Sequence, residues 1–125
     1  MTIAVAQTSL GEIVVDAAGR TLYLFTRDTQ HAGTSVCNDD CATNWPPLLV
    51  ADGTTPTADE GITGEIGTAT REDGTTQLTV NGWPLYFFAA DAAAGDTNGQ
   101  GVNDVWFAVS SAGEAVTGGS GTDEY

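Results

Sequence analysis

Asn81-Gly-Trp-Pro-Leu-Tyr-Phe-Phe-Ala-Ala-Asp91 has a degenerate partner in Ala18-Gly-Arg-Thr-Leu-Tyr-Leu-Phe-Thr-Arg-Asp28, and the offset between them, Gly19 to Gly82, is 63 residues. Gly19, Leu22, Tyr23, Phe25 and Asp28 recur as Gly82, Leu85, Tyr86, Phe88 and Asp91. In each copy a glycine turn feeds an apolar and aromatic run that stops at a carboxylate, the pattern of a hairpin leading into a half-buried strand. Five matches at one offset indicate an internal duplication. They also define a repeat motif: Tyr23, Phe25 and Asp28 in the first copy, Tyr86, Phe88 and Asp91 in the second.

Working outward from the first copy, residues 10 to 28 read as a hairpin. Ile13, Val14 and Val15 are β-branched, Asp16 to Gly19 is turn chemistry, and Thr21 to Phe25 is the return strand. Alternation puts Leu22 and Leu24 on one face and Tyr23 and Phe25 on the other, so this strand is expected to be covered on both sides. Residues 29 to 44 lack periodicity and read as a loop. Trp45-Pro-Pro-Leu-Leu-Val50 follows, and its prolines make it an edge segment or an extended cover over the core. Residues 51 to 61 read as a surface loop. In the second copy Ile62 to Thr70 is a weak strand, Arg71 to Gly74 a turn, Thr75 to Val80 an alternating strand, and Asn81-Gly82 the turn into Trp83 to Phe88. A short helical turn is expected at Ala89 to Ala94, and Val105 to Val109 is a buried strand. The fold class is therefore all-β: a small sandwich or barrel built from two pseudo-repeats of β-hairpin plus loop, about 10–50 and 62–110, in one domain of residues 1–116. Residues 117–125 read as a flexible acidic tail.

The chain has 125 residues, one domain's worth, and a formal charge of −14 from 17 acidic side chains, three arginines and no lysine. Such a surface repels phosphate backbones and anionic lipid, which argues against nucleic acid and membrane surfaces as partners and favours cations. It also fits solubility in high salt, where screening weakens self-repulsion. No segment reaches the roughly 18 apolar residues that span a bilayer. The opening Met1 to Gln7 has neither the basic start nor the apolar run of a signal peptide.

Both Tyr-x-Phe-x-x-Asp copies, together with Cys37-Asn-Asp-Asp-Cys41-Ala-Thr-Asn-Trp45-Pro-Pro and Asp96-Thr-Asn-Gly-Gln-Gly-Val-Asn-Asp-Val-Trp106, closely resemble the secreted repeat lipoproteins of bacteria and haloarchaea, a family of unknown function. The resemblance covers roughly residues 10 to 110. It implies an extracytoplasmic location, secreted or at the cell surface, and a duplicated β-rich unit. It implies no reaction.

In an oxidising compartment Cys37 and Cys41 read most simply as a local disulfide that fixes the loop's course. The competing reading leaves them as thiols that, with His31, handle copper or zinc. Asp96, Asn98, Gln100 and Asp104 occupy positions 1, 3, 5 and 9 of a calcium-type loop, with Gly101 at the sixth. Phe107 stands where an EF-hand has its bidentate glutamate, so calcium would need another ligand such as Asp91; the alternative is a set of Asx turns. Asp28 and Asp91 form a catalytic pair only if the duplication brings them together, and otherwise accept amides of the turns that follow them. The aromatic residues, including Trp45, Trp83 and Trp106, read as core. No nucleophile has an evident base, so an enzyme is the least supported class. The expected function is a non-enzymatic binding or interaction module, stabilised by a divalent cation if the calcium reading holds. The alternatives are a self-assembling surface protein, with itself or another surface protein as partner, and a metal-handling or redox protein.

Overall fold

The computed structural model describes residues 2–8, 10–38, 40–51, 54–59 and 61–116; the tail at 117–125 lies outside the described residues. Each copy begins as an antiparallel meander. In the first, β1 (Thr2–Thr8) pairs with β2 (Gly11–Val15) in the register Ala4↔Val15 to Thr8↔Gly11. The Asp16–Gly19 turn follows, closed where the amide of Asp16 donates to Arg20 O, and the chain returns through a Val15↔Thr21 bridge into β3 (Tyr23–Phe25). A two-residue strand, β4 (Thr57–Ala58), runs parallel to the start of β1. In the second copy, β5 (Ile66–Thr70) pairs with β6 (Thr76–Val80) in the register Ile66↔Val80 to Thr70↔Thr76. The Asn81-Gly82 turn then leads to β7 (Trp83–Pro84). The last strand is β8 (Trp106–Ala108), which pairs with β3.

The all-β reading therefore holds. Among the described residues the strands form three small sheets joined by single bridges, not one closed barrel. Two local expectations are corrected. The loop at 29 to 44 contains a short helix, α1 (Asp40–Asn44), at whose start Cys41 N–H donates to Asn38 O. At Ala89 to Ala94 the chain makes turns and no helix, and the Asp96 carboxylate accepts the amides of Ala92 and Ala93 that a continuing helix would have bonded to backbone carbonyls.

How the copies are joined decides the rest of the architecture. The Trp45–Val50 segment of the first copy lies along the second: the amide of Leu48 donates to Leu85 O, that of Leu78 to Leu48 O, and that of Val50 to Thr76 O. It is bonded in-plane through the antiparallel bridges Pro47↔Tyr86 and Leu49↔Gln77, as an edge segment rather than a layer laid over the core. Reciprocally, β8 of the second copy pairs with β3 of the first, and Ser110 bridges Ile13. Each copy thus gives its tryptophan strand to the other. At the centre Tyr23 and Tyr86 bond each other's backbone, N to O at 2.8 and 2.9 Å, as two equivalent strands do on a pseudo-twofold axis.

The predicted alternation of β3 is borne out. Leu22, Leu24, Leu78, Leu85, Val80 and Val109 pack in one aliphatic core, while Tyr23, Phe25, Tyr86, Trp45 and Trp106 pack in a second, aromatic one. The motif strands separate the two cores, which is why both their faces are apolar.

Candidate functional site

The repeat motif sits in the aromatic core, and the duplication interlocks it. Phe25, Trp106, Trp45 and Phe88 stack in that order, with centroid separations of 4.0, 3.8 and 4.1 Å. Each phenylalanine covers the other copy's tryptophan. Tyr23 meets Trp45 edge-on at 5.5 Å, and Tyr86 meets Trp106 at 5.2 Å. Offset and edge-to-face geometries of this kind contribute beyond area burial.

The carboxylates follow the same exchange. Tyr86 donates its hydroxyl hydrogen to Oδ2 of Asp28, and Tyr23 donates to Oδ2 of Asp91, both at 2.6 Å. The other oxygens accept amides of the loops that follow: Val36 on Asp28 at 2.7 Å, Asn98 on Asp91 at 2.9 Å. Asp28 and Asp91 are only 4% and 2% exposed, so the reading of them as acceptors of local amides is correct, although the tyrosine half of each bond comes from the opposite copy. Each tyrosine oxygen also accepts. Tyr23 takes the Gly99 amide at 3.1 Å, and Tyr86 is bonded by Ser35. Gly99 is fixed by this contact, because a Cβ there would come within 2.9 Å of both Trp45 and Tyr23.

Burial dominates the electrostatics. It raises the Asp28 pKa above the ordinary carboxylate value, against the opposing pull of the Tyr86 bond, the Val36 amide and the charge of Arg71. It also raises both phenols well above the ordinary tyrosine value, helped by the Asp91 bond at Tyr23 and by the Asp28 charge at Tyr86. At neutral pH both tyrosines are therefore donors, and the arrangement acts as a pair of clasps.

Arg71, which the sequence places in a turn, is buried beneath the cysteine loop. Its guanidinium donates to Ser35 Oγ, Gln77 Oε1, Cys37 O and Asn38 Oδ1. The planar fork of arginine suits several fixed acceptors at once. The available signal was scarcity: in a chain with no lysine, each of three arginines merits a specific partner. Arg20 supports the point, since it bonds Asp91 O at 2.7 Å and lies over the Phe87 ring.

Cys37 and Cys41 are joined in a disulfide, with an S–S distance of 2.01 Å, so neither is a free thiol. His31 lies apart, on a loop whose amide donates to Gly82 O; its ring packs on Gly82, where φ is +81° and a Cβ would come within 2.3 Å of Nδ1. Of the calcium-type residues, Asp96 accepts the amides of Ala92 and Ala93. The Asn98 side chain donates to Ala90 O, and Gln100 bonds Val116 O and the Ala108 amide. Asp104 is exposed in a left-handed conformation, φ +61°. Among the described residues no group of three or more His, Cys, Asp or Glu side chains is placed to hold a metal ion.

A polar cleft of about 250 Å³ stands outside these clasps, lined by His31, Gly33, Glu65, Gly67, Thr79 and Gly82, with Gly67 and Thr79 directly opposite each other in the β5–β6 pair. A second hollow, of about 400 Å³, lies between Leu49 to Ala51 and Gly74 to Thr76.

The doubled, reciprocal geometry has a counterpart in comparison with known families. Residues 4–49 and 67–110 each match the model of a secreted repeat of unknown function. The chain belongs to this family. Both repeats begin in a meander and end beside the tryptophan strand, so the family unit coincides with the structural one. A secreted repeat is extracytoplasmic, as the resemblance implied. No helix among the described residues is long and apolar enough to cross a membrane. A search of curated proteins and of solved structures found no match.

Proposed function

We propose that this secreted repeat protein is a non-enzymatic binding or interaction module. The observation that carries the reading is that the motif residues are used internally: Tyr23, Asp28, Tyr86 and Asp91 are buried and each hydroxyl and carboxylate oxygen has a partner inside the fold. A group whose hydrogen-bonding capacity is committed in this way serves rigidity rather than turnover. The motif then defines a frame, and recognition belongs to the surface features the frame holds in place. The cleft at His31, Glu65 and Gly67 is a concave and polar one of these.

The test is site-specific photo-crosslinking in the envelope of the source cells. A photo-reactive residue placed at exposed Thr68, in the cleft lining, is expected to capture a discrete partner. The same residue at exposed Glu12, on β2 and outside the cleft lining, is not. Equal labelling at both positions, or none at either, would remove the interaction reading.

A further inference from the structure

We propose that the outer edge of β5 takes an extended, lysine- or arginine-bearing peptide segment of a partner protein as an added strand, with one basic side chain entering the cleft beside Gly67. This deepens the interaction reading above and rests on it.

Hydrogen-bond direction along β5 is the first observation. Residues 66, 68 and 70 alternate with 67 and 69 in facing β6, as in any antiparallel pair. Two bonds fix which set faces outward. The Thr70 amide leaves the sheet to donate to Gly33 O at 2.9 Å, and across the pair Leu78, opposite Thr68, uses both its amide and its carbonyl on the far side, with Leu48 and Leu85. The amides and carbonyls of Ile66 and Thr68 therefore point away from β6. Among the described residues nothing bonds them. An unpaired row of this kind is a template for another strand, and natural edges are commonly blunted by charge, proline or a bulge. Ile66-Gly67-Thr68 has none of these.

The cleft is the second observation. A residue added directly opposite Gly67 would point its side chain to the face that Gly67 shares with Thr79, and both line the cleft. Gly67 contributes no side chain there, so the space belongs to the newcomer. Strand addition elsewhere works in this way, backbone bonds supplying affinity and pockets for alternate side chains supplying choice.

Charge selects the occupant. The cleft presents the Glu65 carboxylate and the Thr79 hydroxyl, Glu72 and Asp73 follow at the end of the strand, and the chain carries −14. A second copy, or the acidic segment ending Asp123-Glu124-Tyr125, would meet like charge. A lysine or arginine side chain meets acceptors, and two of the protein's own three arginines, Arg20 and Arg71, are engaged internally.

The experiment uses the intact chain, labelled for amide NMR, and a blocked hexapeptide of alternating valine and lysine, with its valine–glutamate analogue as control. The lysine peptide is expected to shift Ile66, Gly67 and Thr68, to slow exchange of the Ile66 and Thr68 amides, and to weaken with added salt. Thr68→Pro removes an outward amide the fold does not use, and should lower affinity at least tenfold. If Thr68→Pro does not fold, Glu65→Lys at an exposed position carries the same test by reversing the preference between the two peptides. Equal response to both peptides, or shifts of Ile66 and Thr68 that grow with protein concentration alone, would overturn the proposal, the latter in favour of self-association. Lysine-peptide binding that leaves Ile66 and Thr68 unmoved also overturns it, while a partner crosslinked at Thr68 would keep the interaction reading intact.

Discussion

At the level of single residues, the motif tyrosines are donors to buried carboxylates, and this gives directions that can be measured. Tyr86→Phe keeps the ring in the aromatic core but leaves Asp28 Oδ2 and the Ser35 hydroxyl without their partner. The expected cost is about 1–3 kcal/mol, the range for leaving a buried polar group unsatisfied, read from denaturant melts. Tyr86→Ala adds a cavity and should cost about 3–5 kcal/mol. A native pKa raised above the unfolded value gives stability that is full below the unfolded pKa and is lost as pH rises through the native one. For Tyr23 and Tyr86 that loss begins above about pH 10, where an unfolded phenol ionises. Their phenolate absorbance should therefore emerge only together with loss of near-UV circular dichroism, and phenolate formation in the folded protein at pH 10 would refute the burial argument. Asp28 behaves alike in its own range: its contribution is greatest below the ordinary carboxylate pKa and is lost as pH rises through its raised native value. Asp73 has the opposite sign, because Thr75 bonds its carboxylate and lowers its pKa, so its contribution fades only as pH falls through that lowered value. Carbon-detected titration should place Asp28 above Asp73. The sequence showed these residues recurring, but not that each tyrosine would choose the other copy's aspartate, since recurrence gives equivalence and not partnership.

At the level of elements, strand content was legible wherever alternation or turn chemistry was strong, as in β2, β3, β6 and β8. Two elements were hidden for separate reasons. β1 lies in a stretch considered only for targeting signals, so its pairing with β2 was not expected. α1 is one turn of helix, too short to show a period. The loop before it is held twice, by the disulfide and by Arg71 donating to Cys37 O and Asn38 Oδ1. Reduction should therefore speed amide exchange within residues 29 to 44 and leave the cooperative melt in place, because a ring closed over so few residues removes little unfolded-state entropy. Global unfolding on reduction would show that the arginine anchor does not suffice. The acidic loop calls for a matching experiment. Its side chains are engaged by the backbone, Asp96 by the amides of Ala92 and Ala93, Asn98 by Ala90 O and Gln100 by the Ala108 amide, in bonds that are not Asx turns but use the same oxygens and amides without a cation. With monovalent salt held constant, a chelator should leave the melting temperature unchanged. A fall of several degrees, the scale that linkage gives for a saturated site, would return calcium to the loop.

At the level of the whole molecule, the duplication was legible but its exchange was not. Pattern within each copy describes a hairpin, a loop and a tryptophan strand, and nothing local says which hairpin the strand joins. The exchange makes each repeat incomplete alone. Residues 1–60 without the remainder would lack the β8 partner of β3, the Trp106 face of Phe25 and the Asp91 acceptor of Tyr23. Residues 61–125 alone would lack the Leu48 bonds to Leu78 and Leu85, the Trp45 face of Phe88 and the Asp28 acceptor of Tyr86. Small chains have little core to spare, so losing a strand and half of an aromatic stack should leave neither half folded as a monomer. Mixing the two should restore the native near-UV circular dichroism at equal stoichiometry. The recovery should weaken on dilution, since separate halves forgo the effective concentration that the linker at 51–61 supplies. Because the copies are related by a pseudo-twofold axis, either half could also find a second copy of itself. Mismatches such as Ser35 against Gly99 as the second partner of the tyrosine should make that homodimer weaker than the heterologous pair. Light scattering on each half and on the mixture, in one salt concentration to fix the repulsion of an acidic chain, separates these states. A half that melts cooperatively as a monomer would show that its tryptophan strand can fold back onto its own hairpin, and that the exchange is a choice of this chain rather than a requirement of the repeat.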